Sequence, residues 1–141
     1  MRNGFTLLEL LLVIAIVGIL GTASTSYTAR FYTQNAVSNT ADELASMLRK
    51  AQLYSMMGKQ SGGVWGVKYT TSPKRITLFL QGSSSFDEKY DVNNSVSIIG
   101  FSQITFAHLT GLPSSSAPMT ISGNGQSEGI TMNSQGVISK N

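Results

Sequence analysis

Gly4-Phe5-Thr6-Leu7-Leu8-Glu9, continued by Leu10-Leu11-Leu12-Val13-Ile14-Ala15-Ile16-Val17-Gly18-Ile19-Leu20, is the stretch on which the reading of this chain turns. Glu9 is its only charge, and an uncharged run follows from Leu10 to Ala29. A carboxylate among apolar side chains is unfavourable unless a cation pairs with it. The best cation on offer is a free amino terminus made by cutting after Gly4, because it would lie one helical turn from Glu9. The 20 uncharged residues from Leu10 to Ala29 cover about 30 Å as a helix, the thickness of a bilayer core. The strongly apolar part, Leu7 to Gly21, is shorter. Arg2 precedes it and favours a cytoplasmic start, with the bulk of the chain across the membrane.

Two simpler readings compete. A secretory signal peptide would use Leu10 to Leu20 as its apolar region and Gly21-Thr22-Ala23 as its cleavage site. Against it, Glu9 offsets Arg2 where the flank should be basic, and helix-compatible sequence continues through residue 59. A plain membrane anchor accounts for the length but leaves Glu9 without a purpose.

The same residues resemble the class III signal of type IV pilins and type II secretion pseudopilins, with a glycine, an aromatic residue and a glutamate at fixed spacing before the apolar run. The resemblance implies that a membrane aspartyl prepilin peptidase cuts between Gly4 and Phe5 and methylates the new terminus at Phe5. It also implies that Glu9 acts in filament assembly. The domains it implies are a leader at 1–4, a transmembrane and assembly helix at 5–27, and an extracytoplasmic head at 28–141. Chemistry suits each role. Gly4 lets a protease approach the backbone closely, and Phe5 sets an apolar terminus at the membrane boundary. Glu9 can meet the ammonium of its own chain one turn away, or that of a subunit already in the filament. Such a pair attracts strongly in low dielectric, but desolvation limits its net value, so it serves best as a register device. Many pilins also carry a proline about 17 residues after the glutamate. Ser26 stands there in this chain, and Gly21 to Ser26 is the expected soft region.

The rest of the 141 residues fits one domain. Val37, Ala41, Leu44, Leu48, Ala51 and Ser55 recur at helical spacing, which predicts an amphipathic helix over 27–59 that packs on a sheet. Asp42 and Glu43 before Arg49 and Lys50 suit a helix restarting near Asn39, and Gly58 and Gly62-Gly63 end it. The period then changes to two. Trp65, Val67 and Tyr69 face Ile76, Leu78 and Leu80 across Thr71-Ser72-Pro73-Lys74, a β-hairpin. Gln81 to Asn94 reads as a polar loop. Val96 to Ile99, Gln103 to Leu109, Met119 to Ser122, Gly129 to Asn133 and Gly136 to Ser139 read as strands, the last two as a hairpin, and Gly123-Asn124-Gly125 as a turn. The run Leu48-Arg49-Lys50-Ala51-Gln52-Leu53-Tyr54-Ser55-Met56, then Trp65-Gly66-Val67, Ile104-Thr105-Phe106 before Gly111, and Ile130-Thr131-Met132-Asn133 before Gly136-Val137-Ile138 is similar to the GspH/FimT minor pilins and pseudopilins. This resemblance implies an α+β pilin fold, a long helix packed against a β-rich head of two antiparallel sheets. It implies a structural subunit of a type IV pilus or type II secretion filament, without a cofactor. Its partners would be other pilin or pseudopilin subunits, prepilin peptidase, an inner-membrane assembly platform and possible secretion cargo.

Composition narrows the alternatives. There is no cysteine, so no disulfide framework or thiolate metal site. His108 is the single histidine and reads as a partly buried strand residue sharing a face with Ile104 and Phe106. No catalytic residue is assigned. Asp87 to Asn94 is the densest set of oxygen ligands but lacks EF-hand spacing, and reads as a solvated segment without a metal. The net charge of +3 is too small to argue for nucleic acid by itself. Some FimT-like pilins bind DNA through a carboxy-terminal Gly-Arg-x-Arg motif. Gly136-Val137-Ile138-Ser139-Lys140 has no arginine, which leaves Lys68, Lys74 and Arg75 as a small patch and disfavours a DNA-uptake role. Mass spectrometry of the mature amino terminus separates the readings. Methylated Phe5 is expected; a start at Ser24 would mean an ordinary signal peptide.

Overall fold

The computed structural model describes residues 5–141, so Gly4 and the rest of the leader lie outside the described residues. Helix α1 runs Leu7–Met56. It passes through Gly21 to Ser26 without a break and does not restart near Asn39. The chain divides into two compact units, with the boundary after Tyr32.

In the first unit the large apolar side chains from Phe5 to Leu20 are all open, between 44 % and 81 % exposed. Among the described residues no helix is long and apolar enough to cross a membrane. After Leu20 the apolar run gives way to Gly21, Thr22, Ala23, Ser24, Thr25 and Ser26. Leu7 to Leu20 covers about 21 Å, against about 30 Å of hydrocarbon.

In the second unit the predicted stripe is the buried face of α1. Val37, Ala41, Leu44, Leu48, Ala51 and Ser55 are each at most 1 % exposed. The five apolar ones pack in one core with side chains from two four-stranded antiparallel sheets. After the short α2 (Lys59–Gly62) come β1 (Trp65–Thr71), β2 (Lys74–Leu80), β3 (Ser83–Asp91), β4 (Ser97–Ile99), β5 (Gln103–Phe106), β6 (Met119–Gly123), β7 (Gln126–Met132) and β8 (Ile138–Lys140). One sheet has the order β3-β2-β1-β5 and the other β4-β6-β7-β8. The α+β architecture anticipated from the sequence is thus present in this unit.

Local chemistry fixes the joints. Ser55, though buried, is satisfied because its Oγ accepts the Trp65 N–H at 2.9 Å. The Trp65 indole N–H donates to the Lys59 carbonyl at 3.2 Å, so the helix end, α2 and β1 form one joint. Asn124 and Gly125 have φ of 47° and 79°, the paired positive values that a two-residue hairpin between β6 and β7 requires. Lys140 on β8 ties that sheet to α1, with its Nζ 2.8 Å from both Asp42 and Glu128. These hydrogen bonds, Asp42's first, raise the Lys140 pKa above the ordinary lysine value. Lys50 is ion-paired with Glu88 in the same way, linking α1 to β3.

Two expectations are corrected. The polar segment 81–94 is not a loop throughout, because Ser83–Asp91 forms β3 and pairs with β2. Its side chains alternate no apolar residues because the strand is largely exposed on both faces. Pairing here answers the unpaired backbone of β2, whose last five residues are buried. His108 is not a strand residue either. β5 stops at Phe106, and the Ala107 N–H turns to the Leu112 carbonyl at 2.8 Å. His108 is exposed, and its ring lies over Gly58 and Gly62.

Burial separates two leucines on one helix. Leu48→Ala is expected to lower head stability by about 2–5 kcal/mol, and Leu53→Ala by no more than about 0.5 kcal/mol. Urea unfolding of the detergent-solubilised chain, followed by Trp65 fluorescence, checks both.

Candidate assembly site

The first turn of α1 is built by Thr6. Its Oγ1 accepts the Glu9 N–H at 3.3 Å, and its carbonyl accepts the N–H groups of Glu9 and Leu10 at 3.1 and 3.2 Å. Thr6 is thus the N-cap, and the Thr-x-x-Glu spacing is that of a capping box. Glu9 also stands in the first turn, where the helix dipole favours a carboxylate. Sequence reasoning singled out Glu9 for its charge and missed Thr6, although the three-residue spacing was in view.

Phe5 and Glu9 are both exposed. Among the described residues Glu9 takes part in no ion pair. Cutting after Gly4 would place an ammonium on Phe5, directly before the capped turn. The result would be a cation at the tip, a carboxylate one turn along, and uncovered apolar surface beyond. That arrangement can bind a second apolar helix and fix its register. It offers no nucleophile–base pair, and among the described residues no three potential ligands converge for a metal.

The other residues raised by the sequence fall elsewhere. Lys74 donates to the carbonyls of Asn94 and Val96 at 2.8 and 2.7 Å, which fastens the first hairpin to the following loop. Arg75 pairs with Asp91 at 2.5 Å. Lys68 lies over the Phe79 ring. All three basic residues are therefore engaged with the fold, and Lys140 near the carboxy terminus is held by Asp42 and Glu128. In the segment 87–94, Glu88 and Asp91 are paired with basic residues.

The family described as the prokaryotic N-terminal methylation motif matches residues 1–25. No curated protein matches the chain. Two solved structures share the fold, both of the minor pseudopilin EpsH from the type II secretion system of Vibrio cholerae. One has a TM-score of 0.58 at 11 % identity, covering 77 % of this chain and 94 % of that one. The other has a TM-score of 0.54 at 12 % identity, covering 74 % and 94 %. The amino-terminal segment thus matches the methylation motif, and the chain shares the fold of these two pseudopilin structures.

Proposed function

We propose that the chain is a minor structural subunit of a type IV pilus or a type II secretion pseudopilus, not an enzyme. One observation carries this reading: the uncovered apolar surface from Phe5 to Leu20, whose one charge is Glu9, lies inside the segment that the methylation motif matches. In this account prepilin peptidase cuts between Gly4 and Phe5 and methylates Phe5. The precursor is held in the inner membrane with its amino terminus cytoplasmic and its head outside. The apolar segment is short for a full crossing, and local thinning of the bilayer accommodates that mismatch. An assembly platform then passes the subunit into the filament, where the head meets other subunits or cargo.

Glu9 selects the register on entry. Between apolar helices in lipid there is little hydrophobic drive, so packing and a few polar contacts decide the geometry. A carboxylate that must find an ammonium allows one position along the neighbouring helix and disfavours the rest. Glu9→Ala is therefore expected to leave cleavage and methylation intact while lowering incorporation into the filament by about tenfold or more, an energy of roughly 1.4 kcal/mol. Immunoblots of sheared filaments against membrane fractions check this, and full incorporation of the variant would remove the pairing mechanism.

A further inference from the structure

The head carries eight large exposed apolar side chains among its described residues, and six of them gather at the carboxyl end of α1. Leu53 and Met56 lie at i and i+3 on the outward side of the helix, and Met57 follows its last residue. Leu109 and Leu112 come from the β5–β6 connection and Val137 from the turn before β8. All six are between 47 % and 69 % exposed.

This surface is built and not a frayed end. The Gln52 carboxamide N–H donates to the carbonyls of Gly111 and Gln135 at 3.1 and 3.5 Å, joining three distant segments. A methyl group on Gly111 would come within 2.5 Å of the Met56 side chain, and one on Gly136 within 2.2 Å of Gln52. The Leu109 N–H caps the Ser55 carbonyl at the end of α1 at 3.0 Å. Leu109 itself has φ of 66°, a left-handed conformation that disfavours a side chain of this size and that structures retain mainly where function needs it. Here it holds a leucine out into solvent.

The rim is basic. Arg49 reaches the Ile138 carbonyl at 3.4 Å on one side. On the other, the Lys59 ammonium sits 3.6 Å from the Tyr54 ring centroid. Neither has a carboxylate partner among the described residues. Isolated apolar residues need no explanation, but a contiguous patch with a polar rim marks a contact surface.

We propose that this patch docks the head of a different, neighbouring filament subunit through a segment that sets apolar side chains beside carboxylates. The inference rests on the filament-subunit reading and names the kind of partner that reading requires. A symmetric contact with a second copy would bring Arg49 and Lys59 of the two copies together, like charge against like. A lipid surface would gain only about 1 kcal/mol from each of two cations, and the patch has no tryptophan to anchor it. The methionine pair, by contrast, repacks readily against a shaped protein surface.

The test uses the full chain in the cells that make it, with a photoreactive phenylalanine analogue at position 53 and, separately, at position 12 in the apolar segment. The position-53 probe is expected to form an adduct with another subunit bearing a methylation motif. The joined peptide should carry Asp or Glu within one helical turn of apolar residues. Lys59→Glu should lower the adduct yield about tenfold at unchanged protein level, and lysine in place of the mapped carboxylate should restore it. If position 12 joins to filament subunits while position 53 joins to lipid, to a second copy or to nothing, the docking surface is overturned and the filament reading stands. If neither position joins to a subunit, both fall.

Discussion

An apolar helix surface that its own chain does not cover is the constraint on which the rest depends. From Phe5 to Leu20 no large apolar side chain is less than 44 % exposed. Full burial of each such side chain is worth about 1.5–3 kcal/mol. Lipid can cover the segment, and so can other helices of the same kind. The choice between them is not made by hydrophobicity, because hydrocarbon is as apolar as leucine. It falls to shape and to the one charged side chain in the segment. Glu9 is held one turn into the helix by the Thr6 cap, so its position along the axis is defined before any neighbour arrives.

The head meets a different requirement. Its buried stripe on α1 is covered within the unit by both sheets, and the joint at Ser55, Lys59 and Trp65 closes the helix end. Lys50 and Lys140 bridge α1 to one strand of each sheet, β3 and β8. One helix therefore serves two surfaces along its length. The large apolar side chains of the early part are exposed, and those of the later stripe are buried. This division suits a subunit whose head folds on its own account while its amino-terminal segment is reserved for association.

Much of this was legible in the sequence where a physical period or an isolated charge announced it. The stripe from Val37 to Ser55 could be read because one face of a helix is buried and the other wet. The first hairpin could be read because Trp65 and Val67, like Ile76 and Leu78, alternate with side chains on the other face. β3 was not legible, since a strand exposed on both faces shows no alternation and Ser83-Ser84-Ser85 looks like a loop. His108 was misplaced because Phe106-Ala107-His108-Leu109 continues the alternation after the backbone has turned away. The patch around Met56 was invisible because it joins residues from α1, the β5–β6 connection and the turn before β8, which only the fold brings together.

The central claim is that Glu9 is neutralised by the amino terminus of an adjoining subunit. The most direct measurement is a carbon–nitrogen distance by solid-state NMR in assembled filaments that mix two labelled populations. One population carries a labelled Glu9 carboxyl carbon and the other a labelled Phe5 amine nitrogen. The account predicts that a share of the Glu9 carboxylates lies within about 4 Å of a Phe5 amine on a different chain, the reach of an ion pair. Dipolar coupling confined to chains carrying both labels, or absent altogether, would contradict it.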